Sequence, residues 1–271
     1  MPVRSDVDPE PLQNLDGILP DDEVHVWHVD LIAWEKEADA LFELLDGAER
    51  ERALRFKFPA PRNQFLISRA LLRRALGRYL RIEARDIRFR TTANGKPELA
   101  ESRDLRFDDL HSNDLRSDDL RFNLSHTEGA AVLAIVRHRQ VGVDVERIRQ
   151  DTDALELAER FFSRPEVQWL RSQPDAQHIP AFFTCWTAKE AYIKAQGEGL
   201  SLPLSSFGVL PRLTSSELQL EVYADPEESR RWSMWQLELG RGLRAALAVE
   251  GESCRVRLGQ WPSPDVDTNA P

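Results

Sequence analysis

The chain has little cysteine, with only Cys185 and Cys254 among its 271 residues. Two cysteines are too few for a disulfide framework, and neither lies in a spacing that is typical of a metal site. No stretch approaches the roughly 18 apolar residues of a membrane-spanning helix, and the first residues lack the basic-then-apolar order of a signal peptide. These absences favour a soluble, cytoplasmic protein without a membrane partner.

Common nucleotide-binding and hydrolase motifs are absent as well. The sequence contains no Walker loop, no Gly-x-Gly-x-x-Gly and no zinc-ligand spacing, and Ser125 lacks the Gly-x-Ser-x-Gly context of a hydrolase nucleophile. The formal net charge of −10 argues against a nucleic-acid partner. An apolar content of 41% is enough for a sizeable core, in one large domain or two small ones.

Positive charge is nevertheless concentrated in one segment. Between Arg50 and Arg90 there are 13 basic residues against three acidic ones, a formal charge of +10. A strongly basic segment in an acidic protein indicates an anionic partner, either a small molecule or an acidic protein surface. An arginine-rich, solvated helix face is the alternative interpretation.

Alternating and helical patterns predict the order of the elements. The stretch 24–29 alternates as a strand, apolar residues recur at helical spacing over 63–80, and we expect 130–136 and 140–146 to pair as a hairpin. The nearly repeated segment 101–121 predicts an inserted surface loop to which we assign no function. A second series of helices and strands follows, and the whole pattern predicts an α+β fold of two similar halves with the chemistry at their junction.

The predicted domain boundaries follow from this order and from two polar, Pro-containing ends. They are a flexible N-terminal arm over 1–20, an N-terminal half over 21–138, a C-terminal half over 139–260 and a disordered tail over 261–271. In the C-terminal half, a long helix over about 181–196 is expected to end at Gly197, where a left-handed cap fits.

Three carboxylates on two separate segments are the most informative feature. Asp144 and Glu146 alternate with valines, so both side chains lie on one face of a predicted strand. An otherwise apolar strand gains nothing from two like charges side by side, which predicts a cation between them. A hard divalent ion such as Mg²⁺ is the simplest candidate, and Glu190 in the long helix is a third oxygen ligand.

Glu190 has an alternative interpretation. Thr187 and Glu190 fit a capping box, in which the glutamate only closes a helix N-terminus. The apolar run 181–183 favours a helix already under way at Thr187, and Glu190 then lies four residues from Lys194 on one face. Because an exposed pair of this kind contributes only a few tenths of a kcal/mol, we interpret Glu190 together with the two strand carboxylates as a site.

Taken together, the motifs resemble the 4′-phosphopantetheinyl transferases of the surfactin-synthetase-activating (Sfp) type. No motif is specific alone, since Ser125-His126 also fits an ordinary turn and Gly95-Lys96-Pro97 fits another. All of them occur in the right order, and the departures, 101–121 and the N-terminal arm, lie outside them. The matching pieces are 62–73, 94–97, 122–126, 141–146, 160–163 and 186–200.

The resemblance implies a pseudo-twofold monomer with coenzyme A between its two α/β halves. It implies transfer of the phosphopantetheine arm from coenzyme A to a serine of an acyl or peptidyl carrier protein, releasing adenosine 3′,5′-bisphosphate. By matching positions, Asp144, Glu146 and Glu190 would hold Mg²⁺, with Mn²⁺ as an alternative. Glu190 would also be the general base, and Lys194 would neutralise phosphate oxygens. The other implied coenzyme A contacts are Arg52, Arg62, Gly95, Lys96, Pro97, Ser125, His126 and Lys189.

Two further function classes stay open at this point. The same carboxylates would serve a Mg²⁺-dependent nucleotide phosphohydrolase, which would release the bisphosphate from coenzyme A without any carrier protein. A non-catalytic module that binds a carrier protein or coenzyme A is the other class, although such a module would be expected to lack a metal ligand and none is missing. We favour the transferase over both.

Overall fold

The computed structural model describes residues 19–100, 119–197, 202–212, 215–240, 242–252 and 254–264. Residues 1–18 of the predicted arm, 101–118 of the inserted loop and 265–271 of the tail lie outside these ranges. Trp261, which was predicted to begin the disordered tail, is instead buried in a core. The described elements are β1 (Glu23–Asp30), α1 (Ala38–Phe42), α2 (Gly47–Leu54), α3 (Pro59–Leu80), β2 (Phe89–Thr91), β3 (Pro97–Leu99), β4 (Leu120–Thr127), β5 (Ala130–Arg137), β6 (Val141–Arg147), α4 (Ala154–Phe161), α5 (Arg164–Arg171), α6 (His178–Gln196), β7 (Phe207–Pro211), β8 (Glu217–Val222), α7 (Pro226–Arg230), β9 (Trp232–Leu237), β10 (Leu243–Glu250) and β11 (Arg255–Gln260). The predicted α+β class is confirmed.

The first sheet has the strand order β11-β1-β5-β4, and helix α3 packs its apolar face against it. A proline lies in the first turn of α3, where the missing N–H is no loss because that turn has no intrahelical acceptor. Strand β1 runs antiparallel to β5 and parallel to β11. Trp261, just after β11, is buried in the same core and meets Trp27 edge-on at 5.5 Å between ring centroids.

The second sheet has the order β6-β10-β9-β8-β7 and carries helix α6. Alanines of α6 face the sheet, and Gly142 of β6 lies directly beneath them. A Cβ atom at Gly142 would stand 2.1 Å from the carbonyl oxygen of Ala191 and 2.3 Å from the backbone nitrogen of Ala195. Only glycine therefore lets the helix lie this close to the strand, which brings the neighbouring polar positions of β6 and α6 face to face.

Polar side chains join the two sheets along their edge strands β4 and β6. The Asn123 side-chain oxygen accepts a hydrogen bond from the Val143 N–H at 2.9 Å, and the Thr127 hydroxyl accepts one from the Arg147 N–H at 3.2 Å. Between them, Ser125 Oγ donates to Asp144 at 2.8 Å. Because alternate residues of β4 point the same way, one strand supplies all three contacts.

Three expectations from the sequence are corrected by this topology. The stretches 130–136 and 140–146 do not pair, because β5 lies between β1 and β4 whereas β6 pairs with β10 in the other sheet. The C-terminal half was expected to extend to residue 260, yet β11 completes the N-terminal sheet. Helix α3 also begins at Pro59, ahead of the predicted residue 63. The pseudo-twofold relation between the halves stays a prediction.

The helix that carries Glu190 is under way well before Thr187, as expected. Helix α6 begins at His178 and ends before Gly197, which has a φ of 74°. The Thr187 hydroxyl donates to the Phe183 carbonyl one turn earlier at 2.9 Å, so it does not cap the helix. Among the helices that the structure describes, none combines the length and the apolar character needed to cross a bilayer.

Candidate active site

The site lies where β6 faces α6. The odd-numbered valines of β6 are buried between the two sheets, so Gly142, Asp144 and Glu146 point the other way, towards the helix. Glu190 and Lys194 lie one turn apart on α6. Lys194 Nζ contacts Asp144, and the charges of Asp144 and Glu146 act on Glu190. The periodicity of one strand and one helix, together with the close approach at Gly142, thus assembles the site.

Asp144 is the most buried member of the site, with 4% of its surface exposed. Its Oδ1 atom accepts hydrogen bonds from Ser125 Oγ at 2.8 Å and from Lys194 Nζ at 2.5 Å. Its Oδ2 atom is buried and has no hydrogen-bond partner among the described residues. Since an unpaired carboxylate oxygen in such a place is costly, this atom marks a position for a further ligand.

The charge of Asp144 acts on both Glu146 and Glu190. Burial raises the pKa of Glu146, and the nearby charge of Asp144 raises it further. The pKa of Glu190 is raised by burial, then by Asp144 and to a smaller extent by Glu146. The Thr127 hydroxyl donates to Glu146 Oε2 at 3.4 Å. The structure therefore places the three predicted metal ligands within electrostatic range of one another.

The donor set fits Mg²⁺ in kind, because all three groups offer the hard carboxylate oxygens that this ion prefers. The unpaired, buried Oδ2 atom of Asp144 supports that fit. As the side chains stand, however, the described residues include no three His, Cys, Asp or Glu groups gathered closely enough to hold an ion. The cation that contacts Asp144 Oδ1 in this arrangement is the ammonium of Lys194.

Of the predicted phosphate contacts, Ser125, His126 and Arg52 lie at the site, whereas Arg62 lies towards α1. Ser125 is buried beside Asp144, and His126 is exposed. Partial desolvation and the charges of Lys194 and Arg52 lower the His126 pKa. Arg52, at the end of α2, is therefore close enough to act on the site. Arg62 lies with its guanidinium carbon 5.9 Å from the ring centroid of Phe42, on the α1 side.

The turn containing Gly95, Lys96 and Pro97 contacts the backbone of the C-terminal half. Lys96 Nζ donates to the carbonyl oxygens of Val141 and Ala195, both at 3.2 Å. Burial lowers the Lys96 pKa to about 8. Gly95 has a φ of 85°, a value that L side chains rarely adopt. The turn thus joins the first half to both β6 and α6, and its contact with coenzyme A stays a prediction.

Lys189 does not occupy the position that the resemblance implied. Its side chain is fully buried, and Nζ lies 2.8 Å from Glu166 Oε2 and 2.7 Å from the carbonyl oxygens of Leu204 and Phe207. These three acceptors use all three ammonium hydrogens. Lys189 therefore holds α6 against α5 and β7, and it does not present a charge to phosphate.

Sequence reasoning missed the partner of Lys189. Glu166 closes a capping box with Ser163 at the start of α5, and its other oxygen accepts from the Val209 N–H at 2.9 Å. A Ser-x-x-Glu spacing was visible in the sequence as a helix start. It carried no sign that this glutamate faces a lysine of a different helix. Asn123 and Thr127 were missed as well, because their partners belong to another sheet.

Two family models cover most of the chain. The 4′-phosphopantetheinyl transferase superfamily matches residues 140–248, and the N-terminal model of 4′-phosphopantetheinyl transferases matches residues 32–138. The two matched regions meet at the connection between β5 and β6. The chain therefore belongs to the 4′-phosphopantetheinyl transferase superfamily, and it is a transferase.

Individual relatives agree with this family. The chain is 36% identical to the 4′-phosphopantetheinyl transferase HetI of Nostoc sp. over 86% of this chain and 90% of that protein. It is 30% identical to Sfp of Bacillus subtilis over 65% of this chain and 70% of that protein. The human L-aminoadipate-semialdehyde dehydrogenase-phosphopantetheinyl transferase is 27% identical over 74% of this chain and 65% of its own length.

Proposed function

We propose that this protein transfers the 4′-phosphopantetheine arm of coenzyme A to a serine of an acyl or peptidyl carrier protein in a Mg²⁺-dependent reaction. The serine oxygen forms a bond to the phosphorus next to the pantetheine, and adenosine 3′,5′-bisphosphate leaves with the bridging oxygen. The observation that carries this proposal is the buried carboxylate of Asp144, with its unpaired oxygen, between two further acids and a lysine.

Charge stabilisation is the main requirement of phosphoryl transfer. Asp144, Glu146 and Glu190 would hold the metal, which supplies positive charge at the diphosphate. Lys194 adds an ammonium group on the same face, with Nζ 3.0 Å from Ser125 Oγ. His126, exposed at the end of β4, provides a ring N–H for a phosphate of coenzyme A. Ser125 would donate to that phosphate only after its hydroxyl hydrogen leaves Asp144.

The serine of the carrier protein must also lose its proton. Glu190 is the proposed base because of its position beside the other two acids; burial and the charge of Asp144 raise its pKa, and a metal ion held there would counteract that shift. Glu190 is half-buried, so one of its oxygens can accept the proton as the new bond forms. General-base assistance of this kind typically contributes about 10²–10⁴-fold.

The basic surface beside the site suits an acidic carrier protein. Arg52, Arg55 and Lys57 are exposed around the end of α2, and Arg52 acts on His126 at the site. Such a surface would accelerate association with an acidic partner, and the effect would fade as salt screens the charges. The transfer rate at low carrier concentration should therefore fall between about 0.05 and 0.5 M salt.

The test is conversion of apo-carrier to holo-carrier by Asp144→Asn and Glu190→Gln, followed by intact-protein mass spectrometry. Each variant should fold and lose at least about 10²-fold in rate. Asp151→Asn, an exposed acid just beyond β6, is the matched control and should transfer normally. Near-normal transfer by both site variants would refute the assignment. Release of bisphosphate without carrier would instead identify a phosphohydrolase.

A further inference from the structure

Lys194 makes a contact that its proposed role towards phosphate does not explain. Its ammonium lies 2.5 Å from Asp144 Oδ1 and 3.0 Å from Ser125 Oγ, although 30% of its side chain is exposed and could reach towards solvent. Ser125 in turn donates to the same Asp144 oxygen at 2.8 Å. The lysine, the serine and one carboxylate oxygen thus form a closed triangle at the centre of the acid cluster.

The charges around this triangle explain why a cation is held there. Glu146 and Glu190 face it from β6 and α6, and each has a pKa raised by burial and by the charge of Asp144. Arg149 acts on Glu146 from beyond the end of β6, and Arg52 and His126 face the cluster from the first half. Lys194 is the cation in direct contact with Asp144 among the described residues, so it is the one that offsets the repulsion there.

We propose that Lys194 is an internal counter-ion that occupies the acid cluster until a divalent cation displaces it from Asp144. The proposal rests on the proposed function in taking Mg²⁺ as that cation. A metal ion at Asp144 Oδ2, the oxygen without a partner among the described residues, would share one carboxylate with the Lys194 ammonium at Oδ1, and two cations that close repel each other. Lys194 must therefore move when the metal arrives, and it needs a new anionic partner.

The diphosphate of coenzyme A is the partner that the proposed function supplies. Metal binding releases Lys194 from Asp144, and a bound diphosphate gives the released ammonium oxygens to contact. Each ligand therefore favours the state that the other binds, which makes their binding mutually cooperative. A ligand without a diphosphate would give Lys194 no such replacement, so it would couple more weakly to the metal.

Calorimetric titration of Mg²⁺ in the absence of coenzyme A tests the first step. Lys194→Met removes the competing cation, so its Kd for Mg²⁺ should fall about threefold to tenfold relative to the unmodified protein. Lys36→Met removes the same charge from an exposed site on another part of the surface and should leave this Kd unchanged. Thermal unfolding in EDTA verifies that both variants are folded.

The second step is tested by repeating the titration with coenzyme A or with adenosine 3′,5′-bisphosphate present. In the unmodified protein, coenzyme A should tighten Mg²⁺ binding more than the bisphosphate does, and in Lys194→Met this difference should shrink. If Lys194→Met does not fold, Lys194→Gln replaces it, because the amide keeps a donor without the charge.

Equal or weaker Mg²⁺ binding by the folded Lys194 variant, compared with Lys36→Met, overturns the counter-ion proposal. The proposed function has its own readout, holo-carrier formation by the unmodified protein. If the unmodified protein transfers the arm but the Lys194 variant shows no change in Mg²⁺ affinity, only the counter-ion proposal is refuted. If the unmodified protein neither binds Mg²⁺ nor transfers the arm, the counter-ion proposal and the proposed function are both refuted.

Discussion

Replacing Gly142 by alanine tests how the site is assembled. The new methyl group would stand 2.1 Å from the Ala191 carbonyl oxygen and 2.3 Å from the Ala195 nitrogen, and both are backbone atoms of α6. Neither atom belongs to a flexible side chain, so no rotamer change relieves the clash. Helix α6 must move away from β6, or the strand must bend.

The size of the effect follows from that clash. To lengthen the distance between the new Cβ and the Ala191 oxygen from 2.1 Å to an ordinary contact of 3.4 Å, the two segments must separate by at least about 1.3 Å. Overpacking of this kind typically costs about 1–3 kcal/mol of unfolding free energy. Because Glu190 immediately precedes Ala191, the displacement also moves the proposed base relative to Asp144. A misplacement of about 1 Å can cost about 10²-fold in rate, so we expect a loss of that order in kcat/KM.

The assay combines chemical denaturation, which gives the unfolding free energy, with transfer to an apo-carrier followed by mass spectrometry. Gly47→Ala is the matched control, because no atom lies within 4 Å of its added Cβ and its φ is ordinary for a helix start. That variant should be unchanged or slightly more stable, by up to about 1 kcal/mol. A folded Gly142→Ala protein with unaltered stability and transfer rate would refute the reasoning.

Three further predictions concern buried polar groups. Lys189→Met should lower the unfolding free energy by about 3–5 kcal/mol, because it leaves the buried Glu166 without its ion-pair partner. Adding Glu166→Gln should restore part of that loss. An unchanged melting temperature in the single variant would contradict this prediction. Burial lowers the Lys96 pKa from 10.5 to about 8, so between these values the unfolded chain binds more protons. The unfolding free energy, measured relative to Lys96→Met, should therefore rise as pH increases from 8 to 10.5, and a flat difference would argue against it. Tyr79→Phe should cost about 1–3 kcal/mol, because its hydroxyl lies 2.7 Å from the buried His25 Nδ1, while transfer activity stays normal.

Local periodicity was enough to predict much of the candidate site. Alternation in β6 fixes the common face of Asp144 and Glu146, and helical spacing fixes that of Glu190 and Lys194. Both rules involve only the residue and its near neighbours along the chain, so they survive folding. The distance between strand and helix was a different matter, since it depends on Gly142 lying beneath α6.

Contacts between distant segments were the part that could not be predicted. The short connection between β5 and β6 suggested a hairpin. In the structure β6 instead pairs with β10 and belongs to the second sheet, whereas β5 belongs to the first. Lys189 was expected to contact coenzyme A because the family resemblance implied that position. Its burial depends on Glu166, which α5 brings to it from 23 residues earlier in the sequence. Spacing within one helix contains no information about such a partner.

The parallel pairing of β11 with β1 determines when the first sheet can be completed during synthesis. Asp22, beside β1, contacts Arg255 of β11 across 233 positions of the chain. Until the ribosome has added β11, one edge of β1 has no neighbour, and an open strand edge is a template for association with other chains. A nascent or prematurely terminated chain that stops before Arg255 should therefore depend on chaperones and aggregate more readily than the finished protein.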